Sequence, residues 1–143
     1  MELDKTFLHN SKNILGIVNI TPDSFSGDGL FKKENNLSKL LDFAERNNIS
    51  NLDIGCASSK PGYENVSTQE ELNRLNYFLS NVNGNFSLSI DTSNPIVAEL
   101  ALKNNFKILN DINGFQDEEL ITKAIEYQCN VIIAVSYTHL RAH

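Results

Sequence analysis

Short apolar runs alternate along the chain with longer stretches in which apolar residues fall three and four apart. Asn13-Ile14-Leu15-Gly16-Ile17-Val18 is long enough for a buried strand and ends in turn chemistry at Asn19-Ile20-Thr21-Pro22-Asp23. A polar, glycine-containing stretch follows to Asn36. Leu37, Leu40, Leu41 and Ala44 then recur at helical spacing, and that helix should fade at Asn47-Asn48. A second strand starts at Asn51-Leu52-Asp53-Ile54-Gly55, with a loop through Ser58-Ser59-Lys60-Pro61-Gly62 behind it. Ser67 with Glu70, and Thr68 with Glu71, form two overlapping capping boxes before a helix striped by Leu72, Leu75, Phe78 and Leu79. A third strand runs from Phe86 to Ile90 and stops at Asp91-Thr92. Asn94 then reads as a helix N-cap with Pro95 at the first helical position, and Val97, Leu100, Ala101 and Leu102 form the stripe. The fourth strand is Lys107-Ile108-Leu109, stopping at Asn110-Asp111. Asp117 caps a helix carrying Leu120, Ile121, Ala124 and Ile125, and a fifth strand begins near Asn130 with Val131-Ile132-Ile133.

Strands alternating with helices imply parallel pairing and right-handed crossovers, hence the α/β class. Two architectures satisfy the pattern, an open doubly wound sheet and a closed (β/α)8 barrel. A complete barrel needs roughly 250 residues; these 143 residues correspond to the first half of one, about four βα units and a fifth strand.

The composition narrows the functional classes. Hydrophobic residues make up 41% and charged residues 21%, which fits a folded domain. With 12 Lys+Arg against 18 Asp+Glu, the formal net charge is -6. That is the wrong sign for wrapping nucleic acid. No apolar run approaches the ~20 residues of a membrane span. The start, MELDKTFLHN, lacks the basic-then-apolar order of a signal peptide. Cys56 and Cys129 have no metal-binding spacing and are expected to be reduced thiols. A cytoplasmic protein, without nucleic-acid or membrane partners, is the expectation.

The strand ends carry the candidate chemistry. In parallel α/β folds the carboxyl ends of strands face the ligand, and here they bear Asn19, Asp91-Thr92 and Asn110-Asp111. Each could merely close a turn. No Ser-His-Asp order, HExxH or phosphate-binding loop is visible, so no activated nucleophile is indicated. Carboxylate and amide together suit a flat heterocycle with N–H donors; they could equally hold a divalent cation through oxygen.

Gly16-Ile17-Val18-Asn19-Ile20-Thr21-Pro22-Asp23-Ser24-Phe25-Ser26-Gly27-Asp28-Gly29 resembles the first signature of the dihydropteroate synthase family. Leu52-Asp53-Ile54-Gly55 through Ser59-Lys60-Pro61-Gly62 resembles its second. Ser89-Ile90-Asp91-Thr92 and Asn110-Asp111-Ile112-Asn113-Gly114 resemble its third and fourth strand ends. The match covers about residues 13 to 133. The resemblance implies a TIM barrel that joins (7,8-dihydropterin-6-yl)methyl diphosphate to 4-aminobenzoate in folate synthesis and is the target of sulfonamides. It implies that Asn19 helps hold Mg²⁺, that Asp91 and Asn110 grip the pterin, and that Phe25 and Ser59-Lys60-Pro61 lie on loops completing the aminobenzoate site. Asp111 would either support Asn110 or close a turn. No protein nucleophile is implied: the diphosphate leaves, and the arylamine attacks a stabilised pterin cation.

The chain departs from the family at two places. The second signature, usually Gly-Gly-Glu-Ser-Thr-Arg-Pro-Gly, is here Gly55-Cys56-Ala57-Ser58-Ser59-Lys60-Pro61-Gly62. Ser59 keeps a hydroxyl, Lys60 keeps the charge without the bidentate fork of Arg, and Ala57 removes a carboxylate. The family's later Asp, its Lys and its Arg-x-His motif have no counterpart after the fifth strand. Arg141-Ala142-His143 only mimics the last of these. Residues 135–143 resemble the translation of a transposon-type sequencing adapter, so residues 1–134 are read as the pterin-binding part and 135–143 as an artefactual tail. The half-barrel alone is expected to be inactive and to lack the homodimer interface of the parent enzyme. Two other readings stand beside this one. One is a methyltetrahydrofolate-binding domain of a methyltransferase, which shares the pterin-gripping residues but not the Thr21 to Phe25 loop. The other is a non-enzymatic flavodoxin-like binding domain.

Overall fold

The structure, a computed structural model, describes residues 14–20, 36–57 and 66–134. Its strands are β1 (Leu15–Asn19), β2 (Asn51–Gly55), β3 (Ser87–Asp91), β4 (Ile108–Asp111) and β5 (Asn130–Ile133). Its helices are α1 (Asn36–Arg46), α2 (Thr68–Asn81), α3 (Pro95–Lys103) and α4 (Glu118–Glu126). Every strand pairing is parallel, and the order across the sheet is the order along the chain. A doubly wound sheet reverses direction at a switch point, whereas a barrel adds each strand on the same side of the last. The alternation of elements left that choice open; the strand order decides it for the first half of a (β/α)8 barrel.

Local chemistry sets the element ends. Ser67 caps α2 by accepting the Glu70 N–H, while the Glu70 carboxylate accepts from Arg74. Thr68 instead lies inside the helix and accepts from Asn94 Nδ2 at 2.8 Å. Asn94 caps α3 ahead of Pro95, and Asp117 caps α4 through the N–H groups of Glu119 and Leu120. α1 ends at Arg46, and Asn48 follows with φ of 55°, the left-handed conformation that Asn tolerates.

The core lies between the sheet and the helices. Val18, Leu52, Ile54, Ile90 and Leu109 supply the sheet side, and Leu37, Leu41, Leu75, Phe78, Val97, Ala101 and Leu120 the helix side. Phe78 meets Phe106 edge-on, with ring centroids 6.2 Å apart. The stripe expected on α4 is only partly buried. Leu120 is enclosed, but Ile121 and Ile125 are exposed, because α4 is the last helix of the described layer and packs on α3 alone at one flank. No helix among the described residues is long and apolar enough to cross a membrane.

Candidate ligand-binding site

Strand register places the candidate residues in one row. Asn19 pairs with Gly55, Gly55 with Asp91, and Asp91 with Asn110. Registered residues of parallel strands share a face, and this row faces away from the helices. Asn19, Asp91 and Asn110 are the last or next-to-last residues of their strands, not the turns beyond them. Strand backbone therefore fixes them more firmly than a loop would.

Gly55 lets the row close up. A Cβ at that position would lie 2.8 Å from Asn19 Oδ1, with Asp91 Oδ2 at 3.8 Å. Two oxygens thus converge over a bare backbone. This donor set fits Mg²⁺, a hard cation that uses one or two protein oxygens and keeps its other positions for water or phosphate. The described residues contain no group of three or more His, Cys, Asp or Glu side chains that could hold a metal ion by themselves.

One layer deeper on the same face lies Asp53, with its side chain buried. Asn110 Nδ2 donates to Asp53 Oδ2 at 2.9 Å, reaching from β4 to β2 across β3. Burial, and next the nearby Asp53 and Asp111 carboxylates, push the Asp91 carboxyl up to about 6. Asp91 is therefore largely ionised at pH 7 and largely protonated at pH 5.

Asp111 points to the helix side. Its Oδ1 accepts from Ser93 Oγ and from the Asn113 N–H at 3.0 Å, and its Oδ2 accepts from the Phe115 N–H at 2.8 Å. It closes the turn after β4 and holds Phe115 at φ of 58°. The turn role is thus the one the structure supports for Asp111.

A buried charged cluster backs the site. Arg74 on α2 donates from Nη1 to the Cys56 carbonyl at 2.9 Å and from Nε to Glu70 at 3.0 Å. Thr92 Oγ1 donates to Glu71 at 3.3 Å and accepts from the Asn94 N–H. Arg74 and Glu71 are both buried, and burial foremost holds the Glu71 carboxyl above its ordinary range. These contacts tie the residues just beyond β2 and β3 to α2. Cys56 is fully buried and its thiol is pushed up to about 12, by burial first and then by Glu71, so it is no nucleophile at neutral pH.

Of the residues singled out in the sequence, Asn19, Asp91 and Asn110 come together. Phe25, Ser59, Lys60, Pro61 and the segment 135–143 lie outside the described residues. Sequence reasoning gave Asp53 no role of its own, read Glu71 only as a capping-box residue and missed Arg74. A signal existed for each. Asp53 shares the parity of Gly55 on β2, and Glu71 and Arg74 fall on the same side of α2 as Leu75 and Phe78.

A comparison with known families matches residues 15–141 to the family described as pterin binding enzyme. A curated relative, the dihydropteroate synthase of Clostridium beijerinckii, is 37% identical over 117 residues, which is 80% of this chain and 44% of the relative. Among solved structures, the dihydropteroate synthase of Clostridium difficile in the presence of pteroic acid is similar with a TM-score of 0.69 and 30% identity, covering 90% of this chain and 51% of that one. The Yersinia pestis dihydropteroate synthase in complex with a sulfonamide drug is similar with a TM-score of 0.63 and 34% identity, covering 82% of this chain and 43% of that one. The chain spans about half the length, or less, of the curated relatives it matches.

Proposed function

The chain belongs to the pterin binding enzyme family, and from that premise we propose that it supplies the pterin-gripping half of a dihydropteroate synthase. The reaction joins (7,8-dihydropterin-6-yl)methyl diphosphate to 4-aminobenzoate, with loss of diphosphate. The observation that carries this reading is the single row Asn19–Gly55–Asp91–Asn110 at the carboxyl ends of consecutive parallel strands. The relatives bear names and ligands of the same chemistry.

The geometry suits a reaction without a protein nucleophile. Asp91 and Asn110 present acceptors to the N–H edge of the pterin and hold it in one orientation. An ionised Asp91 also tolerates positive charge building on the ring as the diphosphate departs. Asn19, and the Asp91 oxygen over Gly55, would hold Mg²⁺. That ion, when bound, offsets the charge of the leaving diphosphate. Phe25, Ser59, Lys60 and Pro61 would complete the aminobenzoate site, which is also where a sulfonamide would compete. A cytoplasmic location, a homodimeric parent enzyme, and the absence of nucleic-acid and membrane partners belong to the same proposal. So does an origin of residues 135–143 outside the gene, which resequencing the locus beyond Ile133 tests.

Two expected results follow from the row itself. Pterin binding depends on Asp91 as an acceptor, so affinity should be constant above pH 7. It should fall about tenfold per pH unit below pH 6, as the carboxyl takes up its proton. The sign is opposite for the free fold. A carboxyl raised above its unfolded value favours folding at low pH, and that contribution is lost as pH rises through about 6. Titration calorimetry between pH 5 and 8 reads the binding slope; a flat profile would contradict the assignment. Gly55→Ala should displace the Asn19 side chain, whose flexible end meets the new methyl. It should lower diphosphate affinity and spare the unfolding midpoint, as parallel calorimetry and melting would record.

The activity itself is tested on the complete gene product. Dihydropteroate should form only when both the pterin diphosphate and 4-aminobenzoate are present, with one diphosphate released for each product molecule. No dihydropteroate with both substrates present would contradict the synthase reading.

A further inference from the structure

Asp53 faces the same side of the sheet as Asp91 and Asn110, yet the reaction above gives it no role. Its contact with Asn110 depends on what stands between them. Asp53 is in register with Ser89 on β3, and Ser89 with Ile108 on β4. Ser89 is small and fully buried, so the two longer side chains can meet above it at 2.9 Å. The Asn110 amide turns its NH2 group to Asp53, which leaves its carbonyl oxygen out of this contact. Two atoms of this cluster have no hydrogen-bond partner within the described protein: Asp53 Oδ1 and Ser89 Oγ, both buried. Buried polar atoms are rarely left so.

We propose that Asp53 is a positioning residue, which fixes the Asn110 amide across Ser89 so that the pocket selects a heterocycle edge rich in N–H donors. The inference rests on the pterin reading and sharpens it. A 2-amino-4-oxo pteridine fits an array of acceptors, whereas its 2,4-dioxo counterpart turns a carbonyl toward them.

The test compares binding of pterin and lumazine, the 2-amino-4-oxo and 2,4-dioxo pteridines, to the complete gene product and its Asp53→Asn variant. An amide at position 53 can pair with Asn110 in either orientation. The preference for pterin over lumazine should then fall by about tenfold. A merely structural role would weaken both ligands in proportion and leave their ratio unchanged, and an unchanged ratio in a folded variant overturns the proposal. Should the variant not fold, side-chain amide exchange of Asn110 in the unaltered protein gives the answer. Exchange slower than that of exposed Asn side chains supports the link to Asp53, and exchange at the solvent rate overturns it. This second measurement needs no ligand. Failure of the unaltered protein to bind either pteridine would therefore sink the functional reading separately.

Discussion

Asp91→Asn is expected to weaken pterin binding about a hundredfold while leaving the fold at least as stable at pH 7. The carboxylate offers an acceptor oxygen to the N–H edge of the ligand whichever way it turns, whereas the amide can present a donor there instead. Loss of a hydrogen bond to a charged group costs about 1.5–3 kcal/mol, which is roughly ten- to a hundredfold, and the new donor facing a donor adds to it. Stability should move the other way. Asp91 sits beside Asp53 and Asp111 and is held well above its ordinary range, so its charge disfavours the free folded state at neutral pH. Removing that charge relieves the fold. Calorimetry and thermal melting on the same samples separate the two effects. Unchanged pterin affinity would remove Asp91 from the site.

Arg74→Met should be the most destabilising change in the charged cluster, by about 1–3 kcal/mol, the cost of leaving a buried acceptor unpaired. Its side chain is only 7% exposed, and its guanidinium satisfies the Cys56 carbonyl while standing beside Glu71. Methionine fills much of the volume but leaves the buried Cys56 carbonyl without its donor and removes a positive charge from the neighbourhood of Glu71. Glu71 can take up a proton, which limits the loss. The neighbouring Glu70→Gln should cost under about 1 kcal/mol, because Glu70 is part-exposed and Arg74 keeps its bond to Cys56. Denaturant titrations of the two variants check the contrast. Equal and small shifts would mean that the cluster is solvated in solution.

Much of this architecture was legible in the chain. The caps at Ser67, Asn94 and Asp117 stood out because capping needs a few residue types at fixed spacing. The strands stood out as apolar runs, but their ends did not. Asn19, Asp91 and Asn110 were read as ligand-facing residues just past the strands, although the ladder continues through them. Polar residues on the ligand face of a strand break the apolar pattern at the place where function needs them. The barrel order was legible only through the family resemblance, because element alternation is common to both α/β architectures; the strand pairing bears it out. Asp53 was hidden for a related reason. Its importance lies in meeting Asn110, 57 positions further along, and no local pattern signals a contact of that range. Arg74 was overlooked, and Glu71 was read only as a capping-box residue, because charged side chains on a helix usually mark its solvated face. Their positions on the same side as Leu75 and Phe78 were the available clue.

The most direct test of the central claim is binding of 4-aminobenzoate to the complete gene product, with and without the pterin diphosphate analogue and Mg²⁺. Saturable binding that appears only when pterin and diphosphate are present is the result the proposed synthase reading predicts. Failure to bind the pterin at all, or aminobenzoate binding indifferent to it, would contradict the assignment of Asn19, Asp91 and Asn110 to one pterin diphosphate site.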